Sequence, residues 1–127
     1  TSSPDQDCVP SMAVVLRPSQ AMKLMHDVSL ALVRDGEPDL SSRQLAILLT
    51  IYLEPPPHHV RDLARKLGVT KPVITRALDS MGKLELVTRR RDENDRRDVV
   101  IQRTVKGALA VERLGDLVAE HAGLLSP

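Results

Sequence analysis

The stretch from Arg61 to Met81, Arg-Asp-Leu-Ala-Arg-Lys-Leu-Gly-Val-Thr-Lys-Pro-Val-Ile-Thr-Arg-Ala-Leu-Asp-Ser-Met, leaves the backbone few options. Leu63, Ala64 and Leu67 put one apolar stripe on a short helix, and the small Ala64 lets a second helix approach closely. Gly68 then suits the left-handed conformation that ends a helix. Val69 anchors the turn and Thr70 is positioned to cap the next helix. Lys71 and Pro72 follow in its first turn, where a missing proline N–H costs nothing. Ile74, Ala77, Leu78 and Met81 recur at helical spacing and face the core. The pattern is a helix-turn-helix, with Lys71, Thr75, Arg76 and Asp79 on the open side and Pro72 and Val73 at the exposed tip.

Such a helix meets base edges with its N-terminal end. Arginine can grip guanine in two places at once, and Thr or Val can touch a thymine methyl group. Thr70, Lys71, Pro72, Val73, Thr75 and Arg76 are therefore the expected recognition-helix contacts. A helical hairpin that only packs is the competing reading, and the next segment weighs against it. Leu86, Val87 and Thr88 lead into Arg89-Arg90-Arg91, a polar turn Asp92-Glu93-Asn94-Asp95, then Arg96, Arg97 and an apolar return, Val99-Val100-Ile101. Two short β-rich runs around a loop are the sequence form of a hairpin. Arginines near its tip suit an electronegative minor groove. Arg89, Arg90, Arg91, Asn94, Asp95, Arg96 and Arg97 are the expected contacts of this wing.

Charge agrees with the placement. The whole chain has 18 basic and 17 acidic residues, but His58 to Lys106 holds 13 Lys or Arg against 7 Asp or Glu. That segment carries a net of +6, and the remainder, 5 against 10, a net of −5. A basic centre between acidic ends is the pattern of a nucleic-acid face on an ordinary soluble protein.

The rest reads as helices. Residues 1–18 are expected to be irregular or disordered, and a single winged-helix domain fills 19–127. Its helix-turn-helix occupies 60–84, its wing 86–103, and dimerisation helices about 19–35 and 105–125. Ser19 is a plausible N-cap for Ala21, Leu24, Met25, Val28, Ala31 and Leu32, with Asp35-Gly36 as the stop. Ser41 or Ser42 caps a second helix with little polar face, ended by Pro55 to Pro57. Thr104 caps a long last helix on which Val111, Leu114, Val118, His121 and Leu125 step by three and four. One small domain does not easily cover that seam, and Leu24 and Val28 face it from the first helix. Partial packing on the chain's own first helix and on a second copy is expected.

Composition limits the alternatives. With no Phe or Trp and one Tyr, the core must be aliphatic. No run approaches the roughly 20 apolar residues of a membrane span. Cys8 is the single cysteine, which excludes an internal disulfide and fits a reducing cytoplasm. Cys8 has nothing evident beside it to stabilise a thiolate, so redox sensing is not expected. His58 and His59 are adjacent and point apart on any regular element, with no carboxylate or Cys at metal-ligand spacing. No metal, no cofactor and no catalytic constellation is expected.

Taken together, Leu63-Ala-x-x-Leu-Gly-Val-Thr-x-Pro-x-Ile-Thr-Arg, Leu86-Val-x-Arg89, Asp92-x-x-Asp95-x-Arg97 and Thr104-x-x-Gly107 resemble the MarR family of winged-helix transcriptional regulators. The resemblance spans roughly residues 20–120. It implies a mostly α fold with a β-hairpin wing, flanked by N- and C-terminal dimerisation helices. It also implies a homodimer that binds a pseudopalindromic double-stranded operator, usually as a repressor. Asp95 would position the wing loop and Arg97 would reach the minor groove. The family often senses small aromatic ligands in a cleft, here lined by aliphatic residues and Tyr52, so a small-molecule effector of unidentified chemistry enters the expectation. The competing reading is a winged-helix protein–protein interaction module with little DNA binding. Two positions depart from the family pattern. Glu85 stands where a glycine usually ends the recognition helix, which predicts a helix end built differently. Gly82 lies inside that helix, near where the family commonly has Glu.

Overall fold

The computed structural model describes residues 14–35 and 38–127. Cys8, most of the segment expected to be irregular, and the Gly36 stop lie outside the described residues. In chain order the elements are α1 (Pro18–Asp35), α2 (Ser42–Leu53), β1 (His58–His59), α3 (Val60–Leu67), α4 (Lys71–Lys83), β2 (Val87–Arg91), β3 (Val99–Arg103) and α5 (Val105–Gly123). This is the expected mostly α fold with a wing. One strand was not foreseen: β1 pairs antiparallel with β3 through His58↔Ile101 and His59↔Val100, giving a three-stranded sheet in the order β1-β3-β2. Two residues between three prolines and a helix carry no period for a sequence reading to detect.

Local chemistry explains where the helices begin. At α2, the Gln44 N–H donates to Ser41 Oγ and the Ser41 N–H donates to Gln44 Oε1, so two end donors are satisfied reciprocally. At α5, Thr104 Oγ1 accepts from the Gly107 N–H and donates to the Glu85 carbonyl 2.7 Å away, tying the helix start to the end of α4. Helix α1 begins at Pro18 rather than behind a Ser19 cap. Proline suits a first helical position, and Gln20 Oε1 accepts the free Arg17 N–H. Thr70 occupies the cap position of α4 without a side-chain cap bond, its carbonyl accepting from Val73 and Ile74 instead. The last helix stops at Gly123, two residues before the expected Leu125.

The core lies under the helix-turn-helix. Ile47, Leu48 and Ile51 from α2, Leu63 and Ala64 from α3, Ile74, Leu78 and Met81 from α4, Leu86 just before the sheet, and Val87 and Ile101 within it form one buried cluster. It is aliphatic, as composition required. Tyr52, the single aromatic, is a structural post: its hydroxyl donates to the Leu86 carbonyl at 2.7 Å and accepts from the Thr104 N–H at 2.9 Å. Three elements thereby meet at one oxygen. Gly107 sits against it, because a Cβ there would overlap the Tyr52 hydroxyl and the Leu86 carbonyl. That engagement leaves Tyr52 as a strut rather than the wall of a free cleft. Arg103 closes the same corner by donating to the Ile51 and Glu54 carbonyls, each at 2.8 Å, across the end of α2.

Candidate nucleic-acid interface

The turn before α4 is built as its residues dictate. Gly68 has φ +70°, and its N–H donates to Arg65 while that of Val69 donates to Ala64, closing the end of α3. The α4 axis then follows from burial of Ile74, Ala77, Leu78 and Met81. With those four inward, the 3.6-residue period turns the others outward. Lys71, Pro72, Thr75, Arg76 and Asp79 are exposed and Val73 is half-buried. Among the described residues, no ion pair engages Lys71 or Arg76. Two uncommitted cations thus stand on the outer face of the first turns.

At its far end α4 stops in the left-handed region: Glu85 has φ +62°. This corrects the expectation of a differently built helix end. The chain keeps the backbone that favours glycine and places glutamate in it, with the Glu85 N–H bonded to the Gly82 carbonyl and the Glu85 carbonyl held by Thr104. The wing's departure angle is therefore fixed by backbone bonds at this residue.

The wing strands pair in register from Val87↔Arg103 to Arg91↔Val99. Its loop is organised by two aspartates. Asp92 Oδ1 accepts from the Asn94 N–H at 2.9 Å, and Asp95 Oδ1 accepts from the Arg97 N–H at 3.1 Å and from Arg97 Nε at 3.4 Å. Such Asx turns substitute for missing backbone partners. The Asn94 bond, with a smaller contribution from His59, holds the Asp92 carboxyl below the usual aspartate range. Arg97 is 94% exposed, so the outer end of its guanidinium faces solvent while Nε is held by Asp95.

The expected wing arginines are not equivalent. Arg89 pairs with Asp79 of α4 at 2.8 Å, which joins the outer face of the helix to the first wing strand. Arg91 donates to the Arg96 carbonyl at 2.8 Å and braces the loop. Arg90, Arg96 and Asn94 are exposed. The surface therefore runs from Lys71 and Arg76 along α4, through the Asp79–Arg89 pair, into the wing.

The expected interface residues of the terminal helices lie elsewhere. Helices α1 and α5 pack antiparallel, with Gln20 Nε2 donating to the Ser126 carbonyl and Arg113 paired with Asp35. Leu24, Val28, Val111, Leu114, His121 and Leu125 are half-buried and Val118 is exposed. Val111 rests against the main core.

One site feature escaped the sequence reading. The expectation passed over Asp62, three residues beyond His59 and 3.3 Å from its Nδ1, and the fold brings Asp92 and Asp98 to the same ring from far along the chain. A chain that returns through a hairpin erases sequence distance, and only the unforeseen β1–β3 pairing could have revealed this.

These features define a winged helix-turn-helix protein. The sequence model described as MarR family matches residues 40–99, the segment from α2 to the start of β3. A comparison with curated proteins gives no match. Among solved structures, transcriptional regulator Tm0710 from Thermotoga maritima is similar at 26% identity and a TM-score of 0.61, over 83% of this chain and 68% of that one. The transcriptional regulator BldR from Sulfolobus solfataricus is similar at 26% identity and a TM-score of 0.57, over 84% and 81%. A structure of reduced AbfR bound to DNA shares the fold, at 22% identity and a TM-score of 0.63 over 80% and 72%. The chain thus has the winged-helix fold of MarR-type transcriptional regulators, and no described helix is long and apolar enough to cross a membrane.

Proposed function

We propose that this protein is a sequence-specific regulator that binds a pseudopalindromic double-stranded operator as a homodimer and represses transcription. Helix α4 enters the major groove, with Lys71, Pro72, Val73, Thr75 and Arg76 against the bases and Thr70 at the entry. The wing reaches the neighbouring backbone and minor groove through Arg90, Asn94, Arg96 and Arg97. Asp95 holds Arg97 in place, and Arg89 and Arg91 act mainly by shaping the wing. The observation that carries this reading is the Asp79–Arg89 pair that joins α4 to the first wing strand, with Lys71 and Arg76 exposed on the helix and Arg90, Arg96 and Arg97 exposed on the wing. The DNA-bound AbfR structure lends it support.

The dimer has its own support. Helix α1 buries no residue, and Met22, Met25, Val33, Leu109, Val118 and Leu124 lie open on the two terminal helices. Apolar side chains exposed on two helices that pack against each other suit a surface covered by a partner. Two copies joined there would present two α4 helices to one face of the duplex, roughly 34 Å apart. Any small-molecule effector would act by changing that spacing.

Fluorescence anisotropy on duplex DNA across a salt series tests the core of the proposal. Affinity should fall steeply and log-linearly with salt, because each neutralised phosphate releases counterions. Selection from a random DNA pool should return two inverted half-sites about one helical turn apart. Absence of binding even at low salt would overturn DNA recognition in favour of a protein-interaction module.

A further inference from the structure

His59 sits where β1 passes into α3, while Asp92 follows β2 and Asp98 precedes β3. The three residues therefore join the body of the domain to both legs of the wing root. Their ligand atoms all lie within 4.8 Å of one another. His59 Nε2 is 3.3 Å from Asp92 Oδ2 and 3.6 Å from Asp98 Oδ2.

Each aspartate commits one oxygen to its own loop and leaves the other facing the imidazole. Asp92 Oδ1 accepts from Asn94, and Asp98 Oδ1 accepts from the Val99 N–H. Asp98 is only 8% exposed, and its Oδ2 is buried with no hydrogen-bond partner. A buried carboxylate oxygen without a donor is unfavourable, because it has left water and gained no partner. One imidazole proton cannot serve two carboxylates. The nearest cation, Arg61 Nε, stands 3.6 Å from Asp98 Oδ2 on a half-exposed side chain, beyond hydrogen-bond reach. What the cluster lacks is a compact positive charge between the three atoms.

We propose that His59, Asp92 and Asp98 form a binding site for a divalent transition-metal ion of the zinc class, which clamps the wing root to the body of the domain. The two imidazole–carboxylate separations, 3.3 and 3.6 Å, lie close to the roughly 3–3.5 Å between neighbouring ligand atoms on zinc, and the third needs only a small closing of the two aspartates. One imidazole with two carboxylates favours zinc or manganese over calcium or magnesium, which prefer all-oxygen shells. The opposite ring nitrogen supplies a further argument. His59 Nδ1 lies 3.3 Å from Asp62 Oδ2, so a proton held there orients the ring and leaves Nε2 free to coordinate. Water completes the shell, and Arg61 swings outward as the ion enters.

The test is competition for Zn²⁺ between a chromophoric chelator and the metal-stripped full chain, in a Cys8→Ser background so that the lone thiol contributes nothing. One equivalent per chain should bind. Asp98→Asn, which keeps shape and removes the ligand charge, should weaken binding at least tenfold while circular dichroism stays native, and His59→Ala should do the same. Asp62→Asn should weaken it about tenfold through the ring's orientation. Zn²⁺, but not Mg²⁺, should slow amide exchange across 92–98. Absence of binding at 0.1 mM Zn²⁺, or stoichiometric binding unchanged by Asp98→Asn, would overturn the proposal. No DNA enters these measurements, so either result leaves the operator reading to be judged separately.

Discussion

Single residues set the angle between recognition helix and wing, and Glu85 is the clearest of them. A side chain at φ +62° costs about 1–2 kcal/mol against ordinary backbone. Glycine removes that strain but adds about 0.5–1 kcal/mol of unfolded-state entropy. Glu85→Gly should therefore stabilise the protein by only about 0.5–1 kcal/mol, and Glu85→Asn, which tolerates this region at less entropic cost, by a similar amount. Thermal denaturation of both variants checks the sign. A fall in Tm for both would mean that the Lys106 contact at 3.6 Å outweighs the strain. Gly107 is constrained oppositely. Gly107→Ala drives a Cβ into the Tyr52 hydroxyl, and the post that joins α2, β2 and α5 must shift. A loss of about 1–3 kcal/mol is expected, in the range of overpacked cores. Tyr52→Phe should be partly compensating in that background, because it removes the atom nearest the clash.

At the scale of elements, α4 and the wing divide the work of binding. Arg97→Ala should weaken binding several-fold on every sequence and lower the salt slope by about one. Arg76→Ala should instead flatten base preference, by about 1–3 kcal/mol at the contacted pair. Anisotropy on a cognate and a scrambled duplex separates the two effects, and equal losses on both duplexes for both variants would refute the division. Asp79→Ala removes a negative charge from this face and frees Arg89. Stability should change by less than about 1 kcal/mol, as for other exposed pairs, while affinity for scrambled DNA rises. The helix-turn-helix was legible in advance because its signals are local: a stripe on Leu63 and Ala64, a glycine stop, a proline start and a second stripe from Ile74 to Met81. The hairpin was legible for the same reason. Strand β1 was not, since two residues have no period. Nor was the different employment of Arg89, Arg91 and Arg97. Which arginine pairs inward depends on the hairpin's register against α4, and that is settled by tertiary packing.

For the whole molecule, assembly depends on what covers the terminal helices. The family match spans 40–99, from α2 to the first residue of β3, and does not reach α1 or α5. Their mutual packing satisfies the ends, through Gln20 with Ser126 and Asp35 with Arg113. It leaves Met22, Met25, Leu109 and Leu124 more than half exposed. Each apolar side chain brought out of water contributes about 1.5–3 kcal/mol at full burial, and a second copy offers that burial twice over by symmetry. Light scattering should therefore give twice the 14.0 kDa chain mass at micromolar concentration. Val118→Asp places a charge on the seam at a position already 37% exposed, so the monomer fold should survive and association should weaken. The same variant should lose affinity for a two-half-site operator far more than for a single half-site. Tethering two recognition helices makes the second contact intramolecular, and that gain vanishes when the copies separate. A Val118→Asp protein that stays dimeric and keeps full operator affinity would locate the interface away from α5.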